Sequence, residues 1–487
     1  MSQGTTSQST ASEQLAKPLS FSTKLAYGAG DLGTAITANI LAFFLLYFFT
    51  NVAGMRPDLA GSVLLIAKVS DAINDPIVGV LSDRTNSRWG RRHPWMVAGA
   101  LPFGVFFVMQ WLVPTSNQWG LFFYYVAIAV LFNLFYTVVN LPYTAMTPEL
   151  TQDYNERTSL NSFRFAFSIG GSIVSLLVAG MLLDRNRIPD QRLAYMLLGL
   201  FCAVVSVIAI LWCVIGTRKR MALAEGERSS FKTVTPIPIR QQLKIVLSNR
   251  PFLYVIGIYF CSWLALQITA SIIPFFVVNW MKMPEKQISL VSIGVQGTAL
   301  LMLFVWSFVS NRYGKKAAYF MGMVLWIIAQ AGLFLLQPGQ VILLYILAIV
   351  AGIGVSVAYL IPWSMVPDVI ELDELNTGQR REGIFYAFMV FLQKMGLAVG
   401  LWFLGIGLQL AGFQKQIPDE AVQPDSALMA IRIAIGPLPT IALILGLVLA
   451  YFYPITKEFH AQIMLQLHEK RLAEAGETIE GLEREDS

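Results

Sequence analysis

The stretch Lys68-Val-Ser-Asp71-Ala-Ile-Asn74-Asp75-Pro76-Ile-Val-Gly79 lies inside a long apolar segment, about residues 60–82. Read as a helix, it carries Lys68, Asp71 and Asp75 at i, i+3 and i+7, with Asn74 beside the carboxylates, so the polar groups share one face. Placing such a face in hydrocarbon costs several kcal/mol per ion unless it looks onto a water-filled space. Pro76 removes the hydrogen bond to the carbonyl of Ala72 and loosens an oxygen close to the carboxylates. Two carboxylates, an amide and a freed backbone oxygen suit a hard cation or a proton. Lys68 alone does not neutralise two aspartates, so a plain structural ion pair leaves part of the cluster unexplained.

Composition agrees with a membrane setting. Of 487 residues, 55% are hydrophobic and 13% charged, where soluble domains carry about 25% charged residues. Residues 1–20 are polar and lack an apolar core, so they read as a disordered tail and not as a cleavable signal. Cys202, Cys213 and Cys261 all fall in apolar runs and form neither a disulfide framework nor a metal-thiolate spacing. The net charge of +5 does not point to nucleic acid, because the basic residues follow membrane topology. No nucleophile–base pair and no phosphate loop is found, so an enzyme is not expected.

Apolar runs long enough to span a bilayer are read at about 26–50, 60–82, 94–114, 119–143, 163–183 and 192–216, then 252–279, 288–310, 317–336, 340–366, 383–411 and 431–453. The expected fold class is an all-α polytopic membrane protein with twelve transmembrane helices in two pseudo-symmetric six-helix halves. The expected organisation is a cytoplasmic tail 1–24, a half 25–216, a basic cytoplasmic linker 217–250, a half 251–454 and a cytoplasmic tail 455–487. With both termini inside, the inner segments hold 24 Lys and Arg and the outer loops 8. That bias orients a multi-pass protein of the cell (inner) membrane. The exception is the outer loop with Arg185, Arg187 and Arg192, which the charge rule does not explain.

The halves echo each other. Gly79-Val-Leu-Ser-Asp83-Arg84, ending in Gly90-Arg91-Arg92, matches Ser310-Asn311-Arg312-Tyr313-Gly314-Lys315-Lys316. Leu141-Pro142-Tyr143 through Thr147-Pro148-Glu149 matches Ile361-Pro362-Trp363 through Val366-Pro367-Asp368, each followed by acids and then arginine. Such duplication marks repeat-built transporters. Asp83, Arg84, Arg91, Glu149, Arg157, Arg312, Asp368 and Arg381 are therefore expected to form cytoplasmic ion pairs that break as the halves rock.

The ionisable residues inside spans are Asp31, Lys68, Asp71, Asp75, Arg164 and Lys394, three acids and three bases. Each is a functional candidate. Asp31 stands among small residues that let helices approach, and Tyr136, Thr137 and Asn140 lie near one face of the fourth span. Tyr359 and Trp363 are candidates to stack on a sugar or line an acyl groove.

The run Asp71-Ala-Ile-Asn74-Asp75-Pro76, with Arg88-Trp-Gly90-Arg91 and Asn140-Leu-Pro142-Tyr143, resembles the glycoside–pentoside–hexuronide:cation symporter family (the melibiose permease group) of the major facilitator superfamily, over about residues 20–455. The resemblance implies that fold, with a central cavity between the halves. It implies a cation site of Asp71, Asn74, Asp75 and Thr137, and a substrate site of Asp31, Tyr136, Asn140, Arg164, Tyr359 and Lys394, the last linking the two. Ala35 and Asn140 stand where the melibiose group has sugar-binding aspartates, which turns the expectation toward another glycoside, a pentoside or an anionic sugar. The implied activity is sodium- or proton-coupled import of a sugar-type solute, with lithium as a further coupling ion. No other cofactor is implied, and the implied carrier is a monomer whose partners are the solute and the bilayer. Lysophospholipid transporters among the animal relatives supply the alternative.

Overall fold

The computed structural model describes residues 19–85, 87, 89–151, 154–228, 239–378, 381–414, 423–467, 469 and 470. The amino-terminal tail to residue 18, the middle of the linker and the end of the carboxyl tail lie outside these residues, as do Arg88 and Arg380.

Among the described residues, twelve long helices follow one another. They are α1 (Phe21–Ile40, continued by π turns Leu41–Leu45 and Phe48–Val52), α2 (Pro57–Arg84), α3 (His93–Met109), α4 (Gln118–Ala145), α5 (Tyr154–Leu182) and α6 (Gln191–Arg228). The second set is α7 (Arg250–Phe275, continued by Phe276–Trp280), α8 (Lys286–Tyr313), α9 (Lys315–Leu335), α10 (Val341–Thr377), α11 (Glu382–Leu410) and α12. The last is split at Gly436 into Asp425–Ile435 and Pro437–Phe452, where proline opens the second piece. Helices prevail because each satisfies its backbone internally, which hydrocarbon demands. Ten are long and apolar enough to cross a membrane; α3 is shorter, and α2 carries the charged stretch.

Packing repeats with a shift of six helices. In the first half α1 packs on α5 and α6, α2 and α3 on α4, and α3 on α6. In the second, α7 packs on α11 and α12, α8 and α9 on α10, and α9 on α12. The halves meet through α2 against α11, α5 against α8, and the end of α1 against α7. Two helices outrun their apolar segments: α6 continues to Arg228, across the expected boundary at 216, and α10 continues to Thr377. Helix propagation does not need hydrocarbon, and α10 stops only where Gly378 adopts φ 67°.

An echo that the sequence reading missed lies at the end of the bundle away from the termini, here the far end. The first helix of each half finishes in a π turn around an asparagine, Asn51 and Asn279. Ala53 N and Met281 N then donate to Phe48 O and Phe276 O, and Met55 N and Met283 N to Phe49 O and Val277 O. Gly54 and Lys282 follow at matching places with φ 74° and 54°. Lys282 is the sole non-glycine residue with positive φ among the described residues.

Candidate functional site

On α2, Asp71 is fully buried and Asp75 lies one turn further on. Thr137 on α4 reaches both: its hydroxyl lies 2.9 Å from Asp71 Oδ1 and 3.0 Å from Asp75 Oδ1. One hydroxyl proton serves one carboxylate at a time, so the three oxygens leave a hard-donor concavity short of positive charge. Lys394 of α11 closes it from the other half, with Nζ 3.0 Å from Asp71 Oδ2 and in contact with Asp75 Oδ2. Lys68 Nζ donates to Asn133 Oδ1 at 3.0 Å and stands 3.6 Å from Asp71 Oδ2.

This corrects the charge argument drawn from sequence. Two ammonium groups face the two carboxylates, so the cluster balances without a guest ion. Helical spacing alone leaves Lys394 a separate mid-span charge, because the contact joins residues 319 positions apart; only the family resemblance tied it to the cation site. Lys68, Asp75 and Lys394 retain 24%, 27% and 19% of side-chain exposure at mid-helix, which places a polar space between the halves, because hydrocarbon would not accept these ions. Asn74 bonds Ser70 Oγ one turn back at 3.4 Å and is not brought onto the carboxylates.

Asp31 and Arg164 form a second, separate pair, with Nε 3.2 Å from Oδ1. Arg164 also lies over the ring of Tyr143, which is stacked on Tyr27. Gly28 and Gly33 make this approach possible, since a Cβ on either would meet the backbone of α5 or α6 at 2.9 Å. Tyr136 packs against Phe103 and Phe132, and Asn140 is half-buried on the same helix.

In the second half, Tyr359, 39% exposed, meets Trp263 edge-on at 5.8 Å. Trp263 continues through Tyr259 and Trp363 to Tyr386, an aromatic face across α7, α10 and α11. Trp263 Nε1 and Gln267 Oε1 are buried and have no hydrogen-bond partner among the described residues. Sequence reasoning missed Asn133, Trp263 and Gln267. Asn133 sits one turn before Thr137 on α4, a spacing that pointed to it; nothing local singled out Trp263 or Gln267.

At the termini end, several ion pairs join residues of the same half. Glu149 holds Arg91 at 3.0 Å and Arg92 at 3.2 Å; Asp368 holds Lys315 at 2.5 Å; Asp373 holds Arg381 at 2.6 Å. His460, from the helix at 457–467, bonds Glu371 at 2.6 Å. Arg84 is exposed, and Arg312 lies over Tyr313 while its carbonyl accepts from Lys457. The side chains of Asp83 and Arg157 lie outside the described residues. Polar contacts between halves occur midway and at the far end, as in Ser271 Oγ to Ala42 O at 3.0 Å and Gln296 to Asn39 at 2.5 Å.

Two six-helix halves clasping a carboxylate pair at their seam define a membrane carrier of the major facilitator fold. The chain belongs to the MFS/sugar transport protein family, whose model matches residues 26–457. It is 52% identical to an uncharacterised symporter of Synechocystis sp., over 94% of this chain and 98% of that one. It is 27% identical to the sodium-dependent lysophosphatidylcholine symporter 1-A of Danio rerio, over 89% and 86%. The solved nucleoside transporter NupG shares the fold, with a TM-score of 0.62 at 15% identity over 88% of this chain and 98% of that one. The chain is thus a symporter of the major facilitator type and an integral multi-pass membrane protein.

Proposed function

We propose that the protein is a cation-coupled symporter of the glycoside–pentoside–hexuronide type, importing a sugar-type solute by alternating access across the inner membrane with both termini in the cytoplasm. The observation that carries this reading is Lys394 lying in the concavity of Asp71, Asp75 and Thr137, at the seam between halves. A sodium ion, lithium ion or proton entering there competes with that ammonium for the same two carboxylates. Once displaced, Lys394 turns toward the polar space and holds the solute, so cation and solute raise each other's affinity reciprocally. The aromatic face of Tyr359 and Trp263 offers a stacking surface for a sugar ring. The paired Asp31 and Arg164 neutralise each other, so Lys394 is the cation most available to an anionic solute group.

A second reading is favoured by the half-exposed aromatic residues Tyr359 and Phe391, 39% and 44% exposed, which equally suit an acyl chain, and by the lysophosphatidylcholine symporter among the relatives. Thermal stabilisation of the purified protein by glycosides, pentosides, uronates and lysophospholipids, in sodium and again in choline, separates the two, because a ligand of the native state stabilises by mass action. A sugar that stabilises only with sodium supports the first reading. Stabilisation by lysolipid alone replaces the sugar with the lipid, and no response to sodium by any ligand removes sodium as the coupling ion.

A further inference from the structure

The arginine-rich outer loop that the charge rule left unexplained meets the second half at the far end. Arg185 donates to Glu285 Oε1 at 2.7 Å, and Lys286 bonds Asp184 at 3.2 Å, so adjacent residues of each half are cross-paired. The two pairs differ in their surroundings. Asp184 and Lys286 lie near water, with 17% and 37% of side-chain exposure, whereas Glu285 keeps 4% and its Arg185 partner 52%. Tyr47 of α1 also reaches Glu285 Oε1, at 3.5 Å, and buried Tyr195 of α6 stands within electrostatic reach. The other carboxylate oxygen, Oε2, is buried with no partner among the described residues. A buried carboxylate with one orphaned oxygen, facing a cation screened by water, is poorly compensated when ionised.

We propose that Glu285 is a second ion site of this carrier: a proton-binding site that the closed far gate creates and the open gate destroys, so that acid on that side holds the gate shut. The proposal rests on the alternating-access reading given above. The groups facing the site are Arg185, Tyr47 and Tyr195, with Asp184 and Lys286 as the neighbouring pair. Burial raises the Glu285 carboxyl above the usual glutamate range, outweighing the lowering by Arg185 and Tyr47. Opening the gate returns the group to water and to its ordinary behaviour. The closed state therefore binds the proton more tightly. Its advantage is fully present below the ordinary glutamate pKa and is lost as pH rises through the raised value. One proton limits the change in the closed-to-open ratio to about tenfold per pH unit.

The test places spin labels across the far mouth, using Ser116→Cys and Gln337→Cys with Cys202, Cys213 and Cys261 replaced by alanine, in lipid nanodiscs without solute and in choline. Pulsed electron resonance then reads the separation from about pH 4 to about pH 8, from the ordinary glutamate range upward. We expect the short separation to gain population as pH falls. Glu285→Gln, which mimics the protonated acid, is expected to hold the short separation at every pH. Arg185→Ala is expected to keep the response and move it to higher pH. A wild type without a pH response overturns the proposal, and so does a response that Glu285→Gln retains, because Asp71 and Asp75 are present in every variant and would then be its source. A separation that moves when sodium replaces choline but not with pH sinks the proton site alone, whereas one that answers to neither counts also against alternating access.

Discussion

Lys394 of α11 pairs with Asp71 of α2 at 3.0 Å and touches Asp75 with the same ammonium, so one residue of the second half occupies the acidic concavity of the first. A tethered cation in that position makes a guest ion a competitor and not simply an addition. Removing it separates binding from coupling. We expect Lys394→Ala to bind sodium about tenfold more tightly, the equivalent of about 1.4 kcal/mol, yet to lose sodium-driven accumulation. A sodium titration of melting temperature and uptake into vesicles measure the two effects. Unchanged or weaker sodium binding would show that the ammonium and the ion do not compete.

Thr137 puts one neutral hydroxyl within hydrogen-bond reach of both carboxylates, at 2.9 and 3.0 Å. Hydrogen bonds to charged groups contribute about 1.5–3 kcal/mol. Thr137→Val, of the same shape, is therefore expected to weaken the apparent sodium affinity at least tenfold, while Thr137→Ser restores most of it. Equal sodium dependence in Thr137→Val and wild type would take the hydroxyl out of the site.

Glu149, 8% exposed, anchors both Arg91 and Arg92 between α3 and the short helix Thr147–Leu150. Arg92 is also buried and donates to Ser82 at 3.0 Å. Breaking a buried pair from one side costs about 3–5 kcal/mol, because the other charge is stranded. Glu149→Leu is expected to lower the melting temperature and the yield of folded protein whether or not sodium is present. A melting temperature equal to that of wild type would mean that the arginines reach water.

Lys282 sits at φ 54° where the first half has Gly54. A side chain in the left-handed region costs about 1–2 kcal/mol. Lys282→Gly is expected to stabilise the protein by up to ~1 kcal/mol, and Gly54→Ala to destabilise it by a similar amount, both read as melting temperature. A loss of stability in Lys282→Gly would show that the lysine stem, and not the turn, holds this corner.

The sequence by itself determined the helices and the faces they present. Long apolar runs fix spans because lipid admits no unsatisfied backbone, and the i, i+3, i+7 spacing of Lys68, Asp71 and Asp75 fixes one polar face, a matter of helical period alone. What the period does not encode is which faces meet. By helical period alone Arg164 is a lone charge until α5 brings it to Asp31, and so is Lys394 until α11 crosses α2; the family resemblance, not the pattern, tied Lys394 to the cation site. The three mid-membrane acids and three bases allow several pairings of equal net charge, so only packing chooses among them. The far-end pair was hidden for the same reason: Arg185 lies in a loop and Glu285 at a helix entrance, one hundred positions apart, and neither carries a pattern until the packing of α5 on α8 buries one and leaves the other half in water.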